Sequence, residues 1–277
     1  MPVTRFAPSP TGLLHIGHAH SALFARAMAG AAGTMLLRLE DIDTTRCRPA
    51  FAAAVEADLA WLGLSWPVPV RRQSEHFAEY RQALDRLIGM GLAYPCFCTR
   101  ARLAEAMAAP HAGEPVYPGT CRALGRSQRV ERIAAGAAHG WRLDGAAALA
   151  STGPLSWRDL DRGVVAAAPL EFGDVLIARK DIPASYHLAV TWDDAAQGVE
   201  LVTRGEDLFA ATHVHRLLQA LLGLPVPVWR HHRLLLDGRG RRFAKRDRAP
   251  TLAAMREAGN SAAEIRALAG FPDQPAA

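Results

Sequence analysis

Two histidines, His15 and His18, follow a Pro/Gly-rich run, Pro8-Ser9-Pro10-Thr11-Gly12, and bracket Gly17. A helix N-terminus already presents unpaired backbone N–H groups and the positive end of its dipole. Two imidazoles one turn apart add donors at that place, and a glycine lets a nucleotide lie against the backbone. Further on, Leu39-Glu40-Asp41-Ile42-Asp43 puts three acids behind an apolar strand, where open α/β sheets bind ligands. Arg204 stands in Val202-Thr203-Arg204-Gly205-Glu206-Asp207, and the planar fork of an arginine gives a carboxylate two parallel hydrogen bonds. The basic run Arg242-Phe243-Ala244-Lys245-Arg246 carries cations, but alone such a loop reads as solvated surface. Cys96, Cys98 and Cys121 make a soft metal site that lacks one ligand. His111 is the chemically ordinary fourth, and buried free thiols are the alternative.

The elements that must position these residues alternate. Val3–Ala7 and Met35–Leu39 read as strands; 17–29, 49–62 and 75–90 read as helices, an order that points to a parallel sheet with helices on its faces. From about Ala93 to Ile182 the pattern breaks into Pro/Gly-rich loops and short strands such as Trp141-Arg142-Leu143, as an insertion between two halves of a fold would. Alternation resumes with Tyr186–Trp192 and Val199–Thr203, read as strands, and the helix 211–222. A loop over 237–248, a short helix from Thr251 and a frayed tail follow.

Half of the 277 residues are hydrophobic and the net charge is +5. Two domains of ordinary size fit that length. No apolar run is long enough to span a bilayer and no leader is visible, so a cytoplasmic protein without a membrane is expected. The charge suits a polyanionic partner without demanding one. Only Lys180 and Lys245 are lysines; such arginine dominance reads as a composition bias, so a surviving lysine is the more informative residue. Four cysteines are too few and too clustered for a secreted disulfide framework, and Cys47 reads as a small structural residue.

The run Arg5-Phe6-Ala7-Pro8-Ser9-Pro10-Thr11-Gly12 with His15-Ile16-Gly17-His18 resembles the adenylate-forming signature of class I aminoacyl-tRNA synthetases, and their glutamyl branch in particular. The acidic run after Leu39, the stretch Tyr186-His187-Leu188 through Asp194, and Arg204-Gly205-Glu206-Asp207 resemble the same branch. The resemblance implies a Rossmann-like doubly wound parallel sheet with an inserted zinc-containing α+β module. It divides the chain into residues 1–92, first half of the catalytic domain; 93–182, the module; 183–236, second half; and 237–277, signature loop and short helical segment. It implies that Arg5, Phe6, Ala7, Pro8, Ser9, Glu40, Tyr186 and Arg204 bind glutamate. Glu40 would meet the amino group; Arg5 and Arg204 would meet the carboxylates, in an order left open. ATP, with Mg2+, falls to His15, Gly17, His18, Arg242 and Lys245, and His15, His18 and Lys245 are the catalytic set. The second signature departs from the family: Arg242 replaces a lysine and Ala244 a serine, which puts the rate in doubt more than the reaction.

Tyr117, four residues before Cys121, is similar to the Y-x-x-x-C spacing of one subgroup, the glutamyl-queuosine tRNA(Asp) synthetases, whose zinc resembles a site of three cysteines and a tyrosine. One structural zinc held by Cys96, Cys98, Tyr117 and Cys121 follows, with His111 kept as the alternative. No anticodon-binding domain is expected after the second signature. The implied enzyme activates L-glutamate with ATP and transfers it to queuosine at the wobble position of tRNA(Asp), as a monomer. Two other readings stand beside it: a minimal glutamyl-tRNA synthetase that charges a 3′ end, and a non-catalytic tRNA-binding paralogue.

Overall fold

The computed structural model describes residues 2–99, 116–235 and 250–272. His111, Arg242, Ala244 and Lys245 therefore lie outside the described residues. The first half opens with strand β1 (Val3–Phe6), helix α1 (Ile16–Ala29), strand β2 (Thr34–Leu39), helix α2 (Pro49–Trp61), strand β3 (Arg71–Arg72) and helix α3 (Phe77–Gly89). β1 runs parallel to β2, with Val3 opposite Thr34 and Phe6 opposite Leu37, and β2 runs parallel to β3.

The apolar spacing of Ile16, Ala19, Ala22, Leu23 and Ala29 makes one buried stripe on α1. It packs with Phe6, Leu37, Leu39, Val55 and Leu59 into the first core. Pro49 opens α2, where its missing N–H has no intrahelical partner to lose.

The middle segment holds β4 (Ala93–Cys96), α4 (Arg126–Ala134), β5 (Gly140–Leu143), α5 (Gly145–Thr152), β6 (Ser156–Asp159), β7 (Gly163–Ala166) and β8 (Leu176–Ala178). β4, β5 and β8 form an antiparallel sheet of their own. β6 and β7 leave that sheet and extend the second half of the catalytic fold. There β6 pairs in parallel with β10 (Val228–His232), which pairs in parallel with β9 (Leu201–Gly205). β9 lies against β1: the Glu200 amide donates to the Val3 carbonyl at 2.9 Å.

One reading is corrected. Tyr186–Trp192 is not a strand but the body of α6 (Tyr186–Ala196). Val190, Thr191 and the flanking aromatics favour extended chain locally. Ser185, whose hydroxyl accepts from the Leu188 amide, caps the segment as a helix instead. Burial of Leu188 and Ala189 with Leu217 and Leu218 of α7 (Ala211–Leu222) then holds it there. Two short helices, α8 (Leu252–Glu257) and α9 (Ala262–Leu268), are capped by Thr251 and Ser261. They bind back to the first half through the Leu252 amide on the Leu14 carbonyl, 2.8 Å. Among the described residues no helix is long and apolar enough to cross a membrane.

Candidate active site and cysteine cluster

A cavity of about 640 Å³ opens where the ends of β1, β2 and β9 meet the N-terminus of α1. Its lining includes Arg5 through Ser9, His15, Gly17, His18, Glu40, Tyr186 and Arg204. Every site residue predicted for glutamate, and the predicted nucleotide residues that are described, thus face one space.

At the mouth of α1, His15 is the N-cap: its Nδ1 accepts from the Gly17 amide at 3.1 Å, and His18 Nδ1 accepts from the His15 amide at 3.1 Å. Each neutral ring therefore carries its proton on Nε2. The ring centroids stand 3.9 Å apart.

At the other end the charges are buried. Arg5 donates through Nε to Asp194 Oδ1, 3.0 Å, and through Nη1 to the Thr203 carbonyl, 2.7 Å. Arg38, fully buried, donates to the same Asp194 oxygen at 2.8 Å and reaches Glu40 Oε1 at 3.4 Å. Burial alone would raise the Asp194 carboxyl, but the two guanidiniums hold it below its usual value. Glu40 behaves oppositely: burial raises its carboxyl to about 7 despite Arg38 and Arg5.

Arg204 is also buried, and burial lowers its pKa. Its partners differ from those of Arg5. Nε faces His231 Nε2 at 3.3 Å, Nη1 faces His215 Nδ1 at 3.2 Å, and Nη2 donates to Thr212 Oγ1. Burial lowers His231 to about 4 and His215 well below its ordinary value, so both rings are neutral. Among the described residues no carboxylate is ion-paired with Arg204. Burying a cation without its counter-ion is expensive, and the arrangement is suited to receive an anion.

Asp194 stands in a run noted in the sequence, but neither it, Arg38, Thr212, His215 nor His231 was assigned a place in the site. The one local signal is the position of Arg38 on β2, two residues before Glu40, which directly follows the strand.

The second cluster lies in the middle segment. Cys96, Cys98 and Cys121 place their sulfurs within 4.8 Å of one another. The Tyr117 hydroxyl lies 3.6 Å from Cys96 Sγ and 3.7 Å from Cys98 Sγ, and Cys98 Sγ lies 3.5 Å from Cys121 Sγ. A tetrahedral zinc with ordinary bond lengths sets sulfur pairs about 3.8 Å apart and sulfur–oxygen pairs about 3.5 Å apart. The four donors fit. Arg142, buried, donates to Cys96 Sγ at 3.4 Å and stacks over the Tyr117 ring at 3.8 Å, a cation that favours ionised ligands. Burial lifts the Cys98 thiol to about 11; that of Cys121 falls despite burial, because the Tyr117 hydroxyl and the Phe97 amide donate to it.

Residues 2–267 match the family described as tRNA synthetases class I (E and Q), catalytic domain. The chain is 48% identical over 281 residues to a glutamyl-Q tRNA(Asp) synthetase of Rhodobacter capsulatus, covering 97% of this chain and all of that one. It is 43% identical to another of that name from Nocardia farcinica, covering 98% of this chain and 86% of the relative. Among solved structures it resembles a glutamate tRNA ligase of Elizabethkingia meningosepticum in complex with its amino acid. The TM-score is 0.79 at 25% identity, with 97% of this chain covered. The glutamate-tRNA synthetase of Elizabethkingia anophelis gives 0.80. The chain spans only 60% and 61% of the length of those two structures.

Proposed function

The chain belongs to the class I (E and Q) tRNA synthetase catalytic-domain family, and from that premise we propose that it activates L-glutamate with ATP as glutamyl-adenylate and transfers the glutamyl group to queuosine in the anticodon of tRNA(Asp). It is a ligase, and the reading takes it as a cytoplasmic monomer. The observation that carries the amino acid is Arg204, a buried cation that no carboxylate ion-pairs among the described residues, in the same cavity as the acid Glu40. A zwitterionic dicarboxylate supplies the anion for the first and the ammonium for the second. Tyr186 lines the same cavity.

His15, Gly17 and His18 would then hold the triphosphate of ATP, the two Nε2–H groups and the helix N-terminus facing it. Arg242 and Lys245 take the pyrophosphate as it leaves, with Mg2+ bound to the nucleotide. The glutamate α-carboxylate attacks the α-phosphorus and pyrophosphate departs; a hydroxyl of the modified base then attacks the glutamyl carbonyl carbon, the bond to the phosphate oxygen breaks, and AMP leaves as the hydroxyl proton is lost to solvent. Zinc would be held by Cys96, Cys98, Cys121 and Tyr117 and would fasten the middle segment; the chemistry at the cavity belongs to other residues. The name carried by the relatives favours the queuosine acceptor over a tRNA 3′ end.

The test uses labelled glutamate, ATP and tRNA(Asp) with and without queuosine. Labelling that needs queuosine, survives a 3′-deoxy terminus and is blocked by periodate supports the reading. Labelling that needs the 3′ hydroxyls replaces it with the minimal synthetase. Glutamate-dependent ATP–pyrophosphate exchange without tRNA is expected, and its absence under all conditions would favour the non-catalytic paralogue.

A further inference from the structure

We propose that His231 and His215 are positioning residues that hold Arg204 as a positive charge without a carboxylate ion pair, and that Asp159 and His187 lock them in the tautomers this requires. A guanidinium only donates. The nitrogens that face it, His231 Nε2 and His215 Nδ1, are therefore both bare lone pairs. The proton of His231 is then on Nδ1, where Asp159 Oδ2 accepts it at 2.7 Å. The proton of His215 is on Nε2, which donates to His187 Nδ1 at 3.2 Å. One placement of protons satisfies these contacts, with the Thr212 hydroxyl a second donor to the same His231 Nε2 at 3.4 Å, and it runs through β6, α6, α7 and β10.

The choice of neutral acceptors has a consequence for the ligand. A carboxylate in place of either imidazole would orient Arg204 as well, but would cancel the charge that an incoming anion needs. Arg5 in the same cavity is the contrast, being bonded to Asp194 at 3.0 Å. The network thus favours a carboxylate over the isosteric amide. This deepens the proposed function and rests on it only for the identity of that carboxylate as glutamate.

Two measurements on the full chain test it. Long-range proton–nitrogen correlation of histidine-labelled protein without substrates should show His231 protonated on Nδ1 and His215 on Nε2. The opposite tautomer or an imidazolium on either ring at neutral pH overturns the proposal, whatever amino acid the enzyme activates. For kinetics, Asp159→Asn keeps an oxygen for the Asp161 and Arg162 amides that Oδ1 accepts at 2.9 and 3.0 Å. Its amide can donate to Nδ1 and drive the His231 proton toward Arg204. Glutamate KM should rise about tenfold, in the range seen when outer-sphere partners of a functional group are removed. ATP KM should stay within twofold, and preference for glutamate over glutamine should fall by a similar factor. His231→Leu should match it, and His231→Gln, which restores an acceptor, should recover most of the loss. Unchanged glutamate KM in a folded Asp159→Asn variant overturns the proposal. Correct tautomers in a protein without glutamate-dependent exchange would support the positioning network and remove the glutamate reading alone.

Discussion

The arginine end of the cavity and the cysteine cluster both converge polar atoms on one point, but they are assembled by opposite means. The cysteine cluster comes from two short segments: Cys96 and Cys98 at the end of β4, and one turn that carries Tyr117 and Cys121. The cavity draws Arg5 from β1, Glu40 from the end of β2, Tyr186 from α6 and Arg204 from β9, with Arg38 of β2 and Asp194 of α6 bonded behind them. Behind these stand Thr212, His215, His231 and Asp159 on three more elements. The first cluster needs only two segments to meet, with Cys98 and Cys121 23 positions apart. The second exists only when the sheet is complete, and its ion pairs are part of what completes it.

The sharpest test of that difference is Asp194→Asn. Two buried guanidiniums lose their shared carboxylate, and breaking a buried pair costs about 3–5 kcal/mol. Denaturant unfolding should show a loss of that size; a loss below about 1 kcal/mol would mean that backbone acceptors hold Arg5 and Arg38, and the cavity is not built on ion pairs. Next in size, Arg204→Ala should weaken glutamate by about 1.5–3 kcal/mol with ATP hardly affected. A glutamate KM that moves less than about threefold would move the carboxylate pocket elsewhere.

Glu40 supplies a smaller effect with a definite sign. Its ordinary value of 4.5 is raised to about 7 by burial. Between those values the folded chain holds a proton that the unfolded chain has lost, so Glu40 subtracts stability as pH rises through that window. Ammonium binding follows the ionised form and gains in the same direction. Glutamate KM should therefore fall about tenfold between pH 6 and pH 8, and Glu40→Gln should flatten the profile; a wild-type KM that is flat or rises would remove Glu40 as the ammonium partner.

The smallest effect belongs to the local cluster. Three thiolates supply most of a zinc site's affinity, so Tyr117→Phe should hasten metal loss to a chelator by about tenfold or less, whereas Cys121→Ser should leave the protein metal-free. His111→Ala should change nothing. A metal lost on removing His111 and kept on removing Tyr117 would assign the fourth ligand to His111.

Legibility in the sequence followed the same division. The loop before α1 and the cysteine and tyrosine spacings are contiguous runs, and their residues meet as read. α6 was misread because its β-branched and aromatic residues favour a strand locally, and the Ser185 cap and packing on α7 override them. β10 has no apolar alternation to mark it, since Val228-Trp229 is followed by Arg230-His231-His232, and His231 is hidden with it.

What the sequence by itself determined is the chemistry available: a nucleotide-type loop, a pair of arginines, an acidic run after a strand and a soft metal set. Short-range spacing and residue type suffice for those. Only the tertiary structure decided which charges are cancelled. Arg5 and Arg204 are the same residue type at the ends of neighbouring strands, and the acids nearest in sequence, Glu206 and Asp207, follow Arg204 and not Arg5. Asp194, 189 positions beyond Arg5, arrives beside one of them, while two neutral imidazoles arrive beside the other, because helix and strand packing places partners by distance in space and not along the chain.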